Sequence, residues 1–171
     1  VIVSTDHDGI AQAAISGGAD APFRRPEELS GDRISDLQVL THATHQTEKI
    51  DGRRYDIIVM LQPTSPLRTK QNVVDAIEKL VNENLDSVWT ISETDSKNHP
   101  LKQLIVNGNL LDYYDEKGRE VIARQQLKPV YHRNGVAYAI TRRTLIEDKS
   151  IMGERCGALI IEGSHISIDT E

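Results

Sequence analysis

The sequence predicts an α/β domain, a mostly parallel sheet covered by helices. Three observations predict it. Short apolar runs at Val1–Val3, Asp56–Leu61 and Ser87–Ile91 alternate with segments of helical period. The runs are apolar on both faces, which suits strands with helices above and below. The 171 residues suffice for one domain with a real core.

The elements follow in order. Val1-Ile2-Val3 reads as a buried strand that begins at residue 1 and ends in Ser4-Thr5-Asp6. Asp8 is a candidate cap for a helix with Ile10, Ala11, Ala14 and Ile15 on one face, stopped by Gly17-Gly18. Pro22 to Asp32 is loop-like. Ile34, Leu37, Leu40 and Ala43 make a helical stripe that ends near Gly52. Asp56 to Leu61 follows as a fully buried strand. Thr69 caps a helix whose Val73, Val74, Ile77, Leu80 and Val81 share one face. Ser87 to Ile91 is the next strand. From Asp95 to Arg133 the period is lost, so this segment is an insertion, an arm on the α/β body. Within it two alternating runs flank Asn107-Gly108-Asn109, a hairpin signal. "NGVAYAI" (Asn134–Ile140) returns to strand, Thr141 or Arg142 opens a helix, and Ala158–Ile161 is the last core strand.

Composition excludes some functions. Hydrophobic residues make up 38% and charged residues 27%, ordinary for a globular chain. The net charge of −6 argues against a nucleic-acid partner, while leaving room for a local basic pocket. No apolar run approaches membrane-spanning length, so no membrane partner is expected. A single cysteine, Cys156, fits a reducing compartment and hence a cytoplasmic location. No G-x-G-x-x-G follows a strand, which disfavours a dinucleotide-dependent oxidoreductase.

The stretch "LQPTSPLR" (Leu61–Arg68) carries the first functional signal. Ligands of open α/β sheets sit outside the carboxyl ends of the strands, and Gln62 lies at such an end. Pro63 and Pro66 hold the residues before them extended and stiffen the backbone. The Gln62 amide, projected outward from this turn, offers two donors and an acceptor, suited to sugar hydroxyls or a carboxylate.

Together with "VIVSTD", "RRPEEL", "HPLK", "RQQL", "YHRNGVAY" and "ISIDTE", in the same order along nearly the whole chain, this stretch resembles the acylneuraminate cytidylyltransferase family, the CMP-sialic acid synthetases. The resemblance implies a Rossmann-like fold with an inserted dimerisation arm. It implies transfer of CMP from CTP to a nine-carbon α-keto acid sugar of the sialic or legionaminic type, with release of pyrophosphate. The implied cofactor is Mg²⁺, a hard cation for carboxylate and phosphate oxygens. By the motif match, Asp169 would hold the metal; it is also a candidate helix cap. Arg124 would bind the substrate carboxylate through its planar fork and, with Asp169, serve the reaction. Gln62, Lys102, Asn134, Gly135 and Tyr138 would form the sugar side, and Arg25 the nucleotide side. Solvated, ion-paired or buried structural roles are the alternatives for Arg124, Lys102, Arg25 and Tyr138. A homodimer is implied, with the arm over about 95–133 crossing to the partner so that Arg124 or Lys102 completes the neighbour's pocket.

The sequence departs from the family in two respects. Relatives begin with a strand and a basic phosphate-binding loop, which suits anion binding; neither matches anything here, and the chain reads as one domain trimmed at both ends. Many relatives carry "DIDTE" where this chain has Ser167 in "SIDTE", so one carboxylate is replaced by a hydroxyl. A non-catalytic nucleotide- or sugar-binding remnant is therefore the alternative to an active cytidylyltransferase, and poor folding or weak CTP binding is the expectation for this stretch alone.

Overall fold

The computed structural model describes residues 1–163 and residue 168. Along the chain lie α1 (Asp8–Ser16), α2 (Asp36–Asp51), β1 (Ile57–Met60), α3 (Lys70–Asn82), β2 (Ser87–Glu93), β3 (Leu104–Asn107), β4 (Leu110–Tyr113), β5 (Tyr131–Thr141), α4 (Arg142–Ile146) and β6 (Cys156–Ile160). The central sheet has the order β1–β5–β2–β6.

Local chemistry explains the helix boundaries. Ser35 caps α2 in a reciprocal pair with Gln38, and Gly52 ends the helix in the left-handed region at φ 65°. Thr69 and Asn72 form the same reciprocal cap on α3. Thr141 caps α4, accepting from the Thr144 N–H. The cap of α1 differs from the expectation: His7 takes that position, its Nδ1 accepting from Gly9 N at 3.0 Å. Asp8 lies inside the first turn, where its carboxylate accepts from Arg24 Nε at 2.8 Å.

The helix α3 covers one face of the sheet. Its Ala76 and Leu80 pack on Val88, Ala137 and Ala139, all buried, with Ile57, Val59, Val73, Ile77 and Leu159 around them. Strand alternation sends Trp89 and Tyr138 to the opposite face, where their rings meet at 5.2 Å. The Trp89 indole N–H there donates to Ile151 O at 3.0 Å.

Three sequence expectations are corrected. Strand β5 is antiparallel to both β1 and β2, whereas β2 and β6 are parallel. Three strands therefore run one way with β5 inserted against them. The arm explains this: the chain leaves β2 at its carboxyl end and re-enters through β5 at that same end, with no crossover helix. Second, β1 is half-buried rather than fully buried, because it occupies the edge of the sheet. Third, Val1–Val3 does not join the sheet. Ile2 makes an isolated parallel bridge to Asp20, and Val1 remains exposed. Helix α1 returns the chain alongside, but Pro22 has no N–H with which to extend the pairing.

The segment between β2 and β5 is shorter than expected at its far end, because β5 already begins at Tyr131, and Asn107-Gly108-Asn109 does make a hairpin. The turn is Gly108-Asn109, since Asn107 pairs with Leu110 in the antiparallel β3–β4 ladder. Only Gly108 of the two has positive φ, 63°, which fits a turn with glycine at its first central position.

A bidentate pair ties α2 to α4: Arg142 donates to Glu48 at 2.7 and 3.1 Å. These hydrogen bonds hold the Glu48 carboxyl at about 2, below its ordinary 4.5. A depressed carboxylate contributes stability that is fully present above 4.5 and is lost as pH falls toward 2. Thermal melts followed across that window are expected to lose stability on acidification, and Glu48→Gln is expected to flatten that part of the profile.

Candidate active site

The site grows from an irregularity in β5. Between Trp89 and Ile91, β2 advances two residues while β5 advances five, from Tyr138 back to Arg133. The surplus bulges out at Asn134 and Gly135. Buried polar groups hold it open. Asn134 Nδ2 donates to Ser92 Oγ at 3.0 Å, and Asn134 Oδ1 accepts from Thr90 Oγ1 at 2.7 Å and from Val136 N at 3.1 Å. Thr90 Oγ1 also accepts from Ala137 N at 2.9 Å, replacing a ladder bond. Thr90, Ser92 and Asn134 are all buried, so each polar atom needs its partner. Below the bulge, the hydroxyl of the buried Tyr138 accepts from Gly135 N at 2.8 Å.

The "QPTSP" turn docks on this bulge from the end of β1. Pro63 takes the second position of a turn closed by Ser65 N donating to Gln62 O at 3.3 Å. The backbone of Gln62 donates to Gly135 O at 3.2 Å, and Ser65 Oγ donates to Asn134 O at 2.7 Å. Gly135 has φ 69°, and a Cβ there would run into Gln62 Oε1 and lie 2.7 Å from Ser65 Oγ. The Gln62 carboxamide therefore lies over the bare Cα of Gly135, half-buried, rather than projecting freely outward.

Arg68 closes the turn. Its Nε donates to Val136 O, and its Nη2 to Gln62 O at 2.6 Å and to Gly135 O at 3.0 Å. Burial lowers its pKa. Arg133, just before the bulge, lies 4.6 Å over the Trp89 ring and 5.1 Å over Tyr138, and donates to Asp36 Oδ2 at 3.2 Å. It links the start of α2 to the same strand.

The structure thus gathers Gln62, Asn134, Gly135 and Tyr138 into one assembly at the carboxyl ends of β1 and β2. Gln62 is half-buried at its surface, and Gly135 is buried under the Gln62 carboxamide. Asn134 and Tyr138 lie beneath, with the Asn134 amide and the Tyr138 hydroxyl engaged inside the protein. Arg25 lies apart from these contacts: its N–H donates to Thr5 O at 2.9 Å, its Nε to Ser30 Oγ at 3.2 Å, and its Nη2 lies 3.5 Å from Asp6. The acid beside it is Asp6, not Glu27 or Glu28.

Arg124 and Lys102 lie on the arm, both exposed. Arg124 opens a short turn shaped by Gln126, whose Oε1 accepts from Ile122 N and Ala123 N, each at 2.8 Å. It lines a cavity of about 280 Å³ with Glu93, Asp95, His99 and Lys128, at the base of the arm. His99 is buried there and ties the arm's two ends: Nδ1 accepts from Leu101 N, and Nε2 lies 3.2 Å from Lys128 O. Gln62 does not line this cavity.

Asp169 and Ser167 lie outside the described residues. Ile168, between them, donates its N–H to Thr64 O at 2.9 Å, in the middle of the Gln62 turn. Among the described residues no three acidic, histidine or cysteine side chains group as a metal site. No helix of the described residues is long and apolar enough to cross a membrane.

Sequence reasoning missed Arg68, Thr90, Ser92 and Arg133. A signal was present for Arg68: a turn with two prolines lacks two N–H donors, and a side chain must replace them where strand carbonyls are buried. Gly135→Ala is expected to displace the Gln62 carboxamide and to cost on the order of 1–3 kcal/mol through its positive φ. Chemical denaturation and ligand titration of the variant check this together.

Comparison with known proteins agrees with this architecture. A family model described as "Cytidylyltransferase" matches residues 1–164. The chain is 29% identical over 173 residues to a CMP-N,N'-diacetyllegionaminic acid synthase of Legionella pneumophila, across 100% of this chain and 72% of that protein. It is 26% identical to a pseudaminic acid cytidylyltransferase of Campylobacter jejuni, across 99% of this chain and 72% of the relative. It is 28% identical to an N-acylneuraminate cytidylyltransferase of Streptococcus agalactiae, across 91% of this chain and 36% of the relative. A solved CMP:2-keto-3-deoxy-manno-octonic acid synthetase complexed with CTP shares the fold, with a TM-score of 0.62 at 17% identity, covering 98% of this chain and 75% of that one. With a sheet, a bulged strand and a Gln62 turn built as described, and the family model matched over residues 1–164, this chain belongs to the cytidylyltransferase family.

Proposed function

We propose that the protein activates a nonulosonic acid by transferring CMP from CTP and releasing pyrophosphate. The observation that carries this reading is the seat of the Gln62 carboxamide over Gly135, at the strand ends of a chain in the cytidylyltransferase family. The relatives named for legionaminic, pseudaminic and N-acylneuraminic acids support the substrate class.

The sugar's anomeric hydroxyl attacks the α-phosphorus of CTP, forming a P–O bond as the bond to pyrophosphate breaks. This chain's residues position and orient more than they react. Gln62 offers its amide to the sugar, and Gly135, bare of a side chain, gives that amide its seat. Asn134 and Tyr138 hold that surface from beneath. Arg25 faces the nucleotide, and Arg124 supplies the fork for the sugar carboxylate, with Lys102 a second cation on the arm. A divalent cation such as Mg²⁺, when bound, would supply charge neutralisation for the phosphates. Asp169 is the residue proposed to hold it, and the described residues supply no further cluster for it.

The active form is proposed to be a cytoplasmic homodimer through the arm. Hairpin residues Leu104, Val106, Leu110 and Leu111 are exposed, as is Ile122 beside Arg124. A lone two-stranded hairpin is marginal in water and gains by burial against another surface. Arg124 lies on this arm and outside the Gln62 assembly of its own chain, which favours a pocket completed by the partner.

Pyrophosphate release is expected to require both CTP and a nonulosonic acid; a panel of such sugars identifies the preferred one, and CTP binding without turnover would favour the non-catalytic alternative. Gln62→Ala and Arg124→Ala are each expected to abolish most activity, and a mixture of the two to regain activity that neither shows alone. No regain, with monomers in sedimentation, would remove the shared pocket.

A further inference from the structure

We infer that Arg68 is a positioning residue, which sets the Gln62 carboxamide by clamping the turn that carries it to the bulge on which it rests. The argument starts from a deficit of donors. Strand β5 offers successive carbonyls at Asn134, Gly135 and Val136, in a buried part of the sheet. The partner strand β1 has ended at Met60, and the turn beyond it contains Pro63 and Pro66, which have no N–H. Backbone therefore meets only Gly135 O, through Gln62 N. Side chains complete the ladder: Ser65 Oγ reaches Asn134 O, and Arg68 Nε reaches Val136 O.

Arg68 does more than fill a gap. Its Nη2 donates both to Gln62 O at 2.6 Å and to Gly135 O at 3.0 Å. These two carbonyls belong to the residue that carries the amide and to the residue under it. A planar guanidinium holds several acceptors in one fixed plane, which an ammonium cannot do. The prolines stiffen the turn, and Arg68 fixes where that stiff turn sits. Because Gly135 leaves only the depth of a missing Cβ for the carboxamide, a small displacement of either carbonyl changes its seat.

The test compares wild type with Arg68→Lys in the full chain. The side-chain amide resonances of Gln62, assigned by their loss in Gln62→Ala, report its seat without any turnover. They are expected to shift and broaden in Arg68→Lys while the backbone spectrum stays that of a folded protein. In kinetics, which rest on the functional reading above, KM for the sugar acid is expected to rise roughly tenfold, with KM for CTP little changed. In a Gln62→Ala background, Arg68→Lys is expected to add nothing further. Unchanged amide resonances in folded Arg68→Lys, or an additive loss in the double variant, would overturn the role. Loss of folding in both Arg68→Lys and Arg68→Gln would overturn it in favour of a purely structural one. Absence of pyrophosphate release by wild type with every sugar would sink the functional reading instead, and the amide resonances would still decide the role of Arg68.

Discussion

The arrangement of this molecule depends on a buried hydrogen-bonded cluster, Thr90–Asn134–Ser92, inside the central sheet. A strand that gains three residues on its neighbour loses ladder bonds, and each buried group left unpaired costs about 1–3 kcal/mol. The Asn134 amide replaces the lost bonds with its own donor and acceptor, and Thr90 Oγ1 serves Ala137 N in place of a carbonyl. The surplus chain is then stable as a bulge. The bulge in turn presents Gly135 at positive φ to the end of β1, and the Gln62 turn has a surface to dock on. Fold and site meet at these residues, so their polarity is a property of the core as much as of the surface above it.

Most of the body was legible in the sequence because its signals are local. Helix α3 follows from its apolar stripe and the Thr69 cap, and the hairpin from Asn107-Gly108-Asn109. The direction of β5 was not legible, because an apolar strand reads alike in either orientation and only the path of the arm decides it. The edge position of β1 was hidden for the same reason: its residues are those of a buried strand, and its neighbours are fixed by topology. In the site, Gln62 and Gly135 could be read from a proline-rich turn and an Asn-Gly pair. That the Asn134 amide points into the core could not, since Thr90 and Ser92 lie more than 40 residues away in sequence. Arg68 lies between these cases, visible once the missing proline donors are counted.

The arm obeys a different logic from the sheet. Its base is fastened by backbone and side-chain bonds: Thr94 N to Val130 O at 2.9 Å, and the His99 ring between Leu101 and Lys128. Inside it, Gly118 lets the chain pass against Leu101 O and the Tyr113 ring, where any Cβ would collide. The hairpin is held at its foot, where Arg119 pairs with Asp112 and lies 5.6 Å over the Tyr113 ring, but its leucines and valine face solvent on both sides. A segment fixed at the base and apolar at the tip is suited to a rigid lever that carries its tip to another surface.

This separation has a chemical consequence for the proposed reaction. The body presents a neutral group at the proposed site, the Gln62 carboxamide, held by prolines, a glycine and a guanidinium turned inward. The arm carries exposed cations, Arg124 and Lys102. A net charge of −6 on the whole chain repels an anionic sugar acid and a triphosphate at long range, so attraction must come from short-range cations placed locally. Cations fixed permanently against the Gln62 assembly would have to be desolvated within each chain on folding. In the proposed dimer, cations on an arm that meets the assembly only across the interface would stay solvated until the pocket is completed. On that proposal, neutral shape recognition built into the fold, with charge brought in by association, would give specificity and affinity to different parts of the same chain.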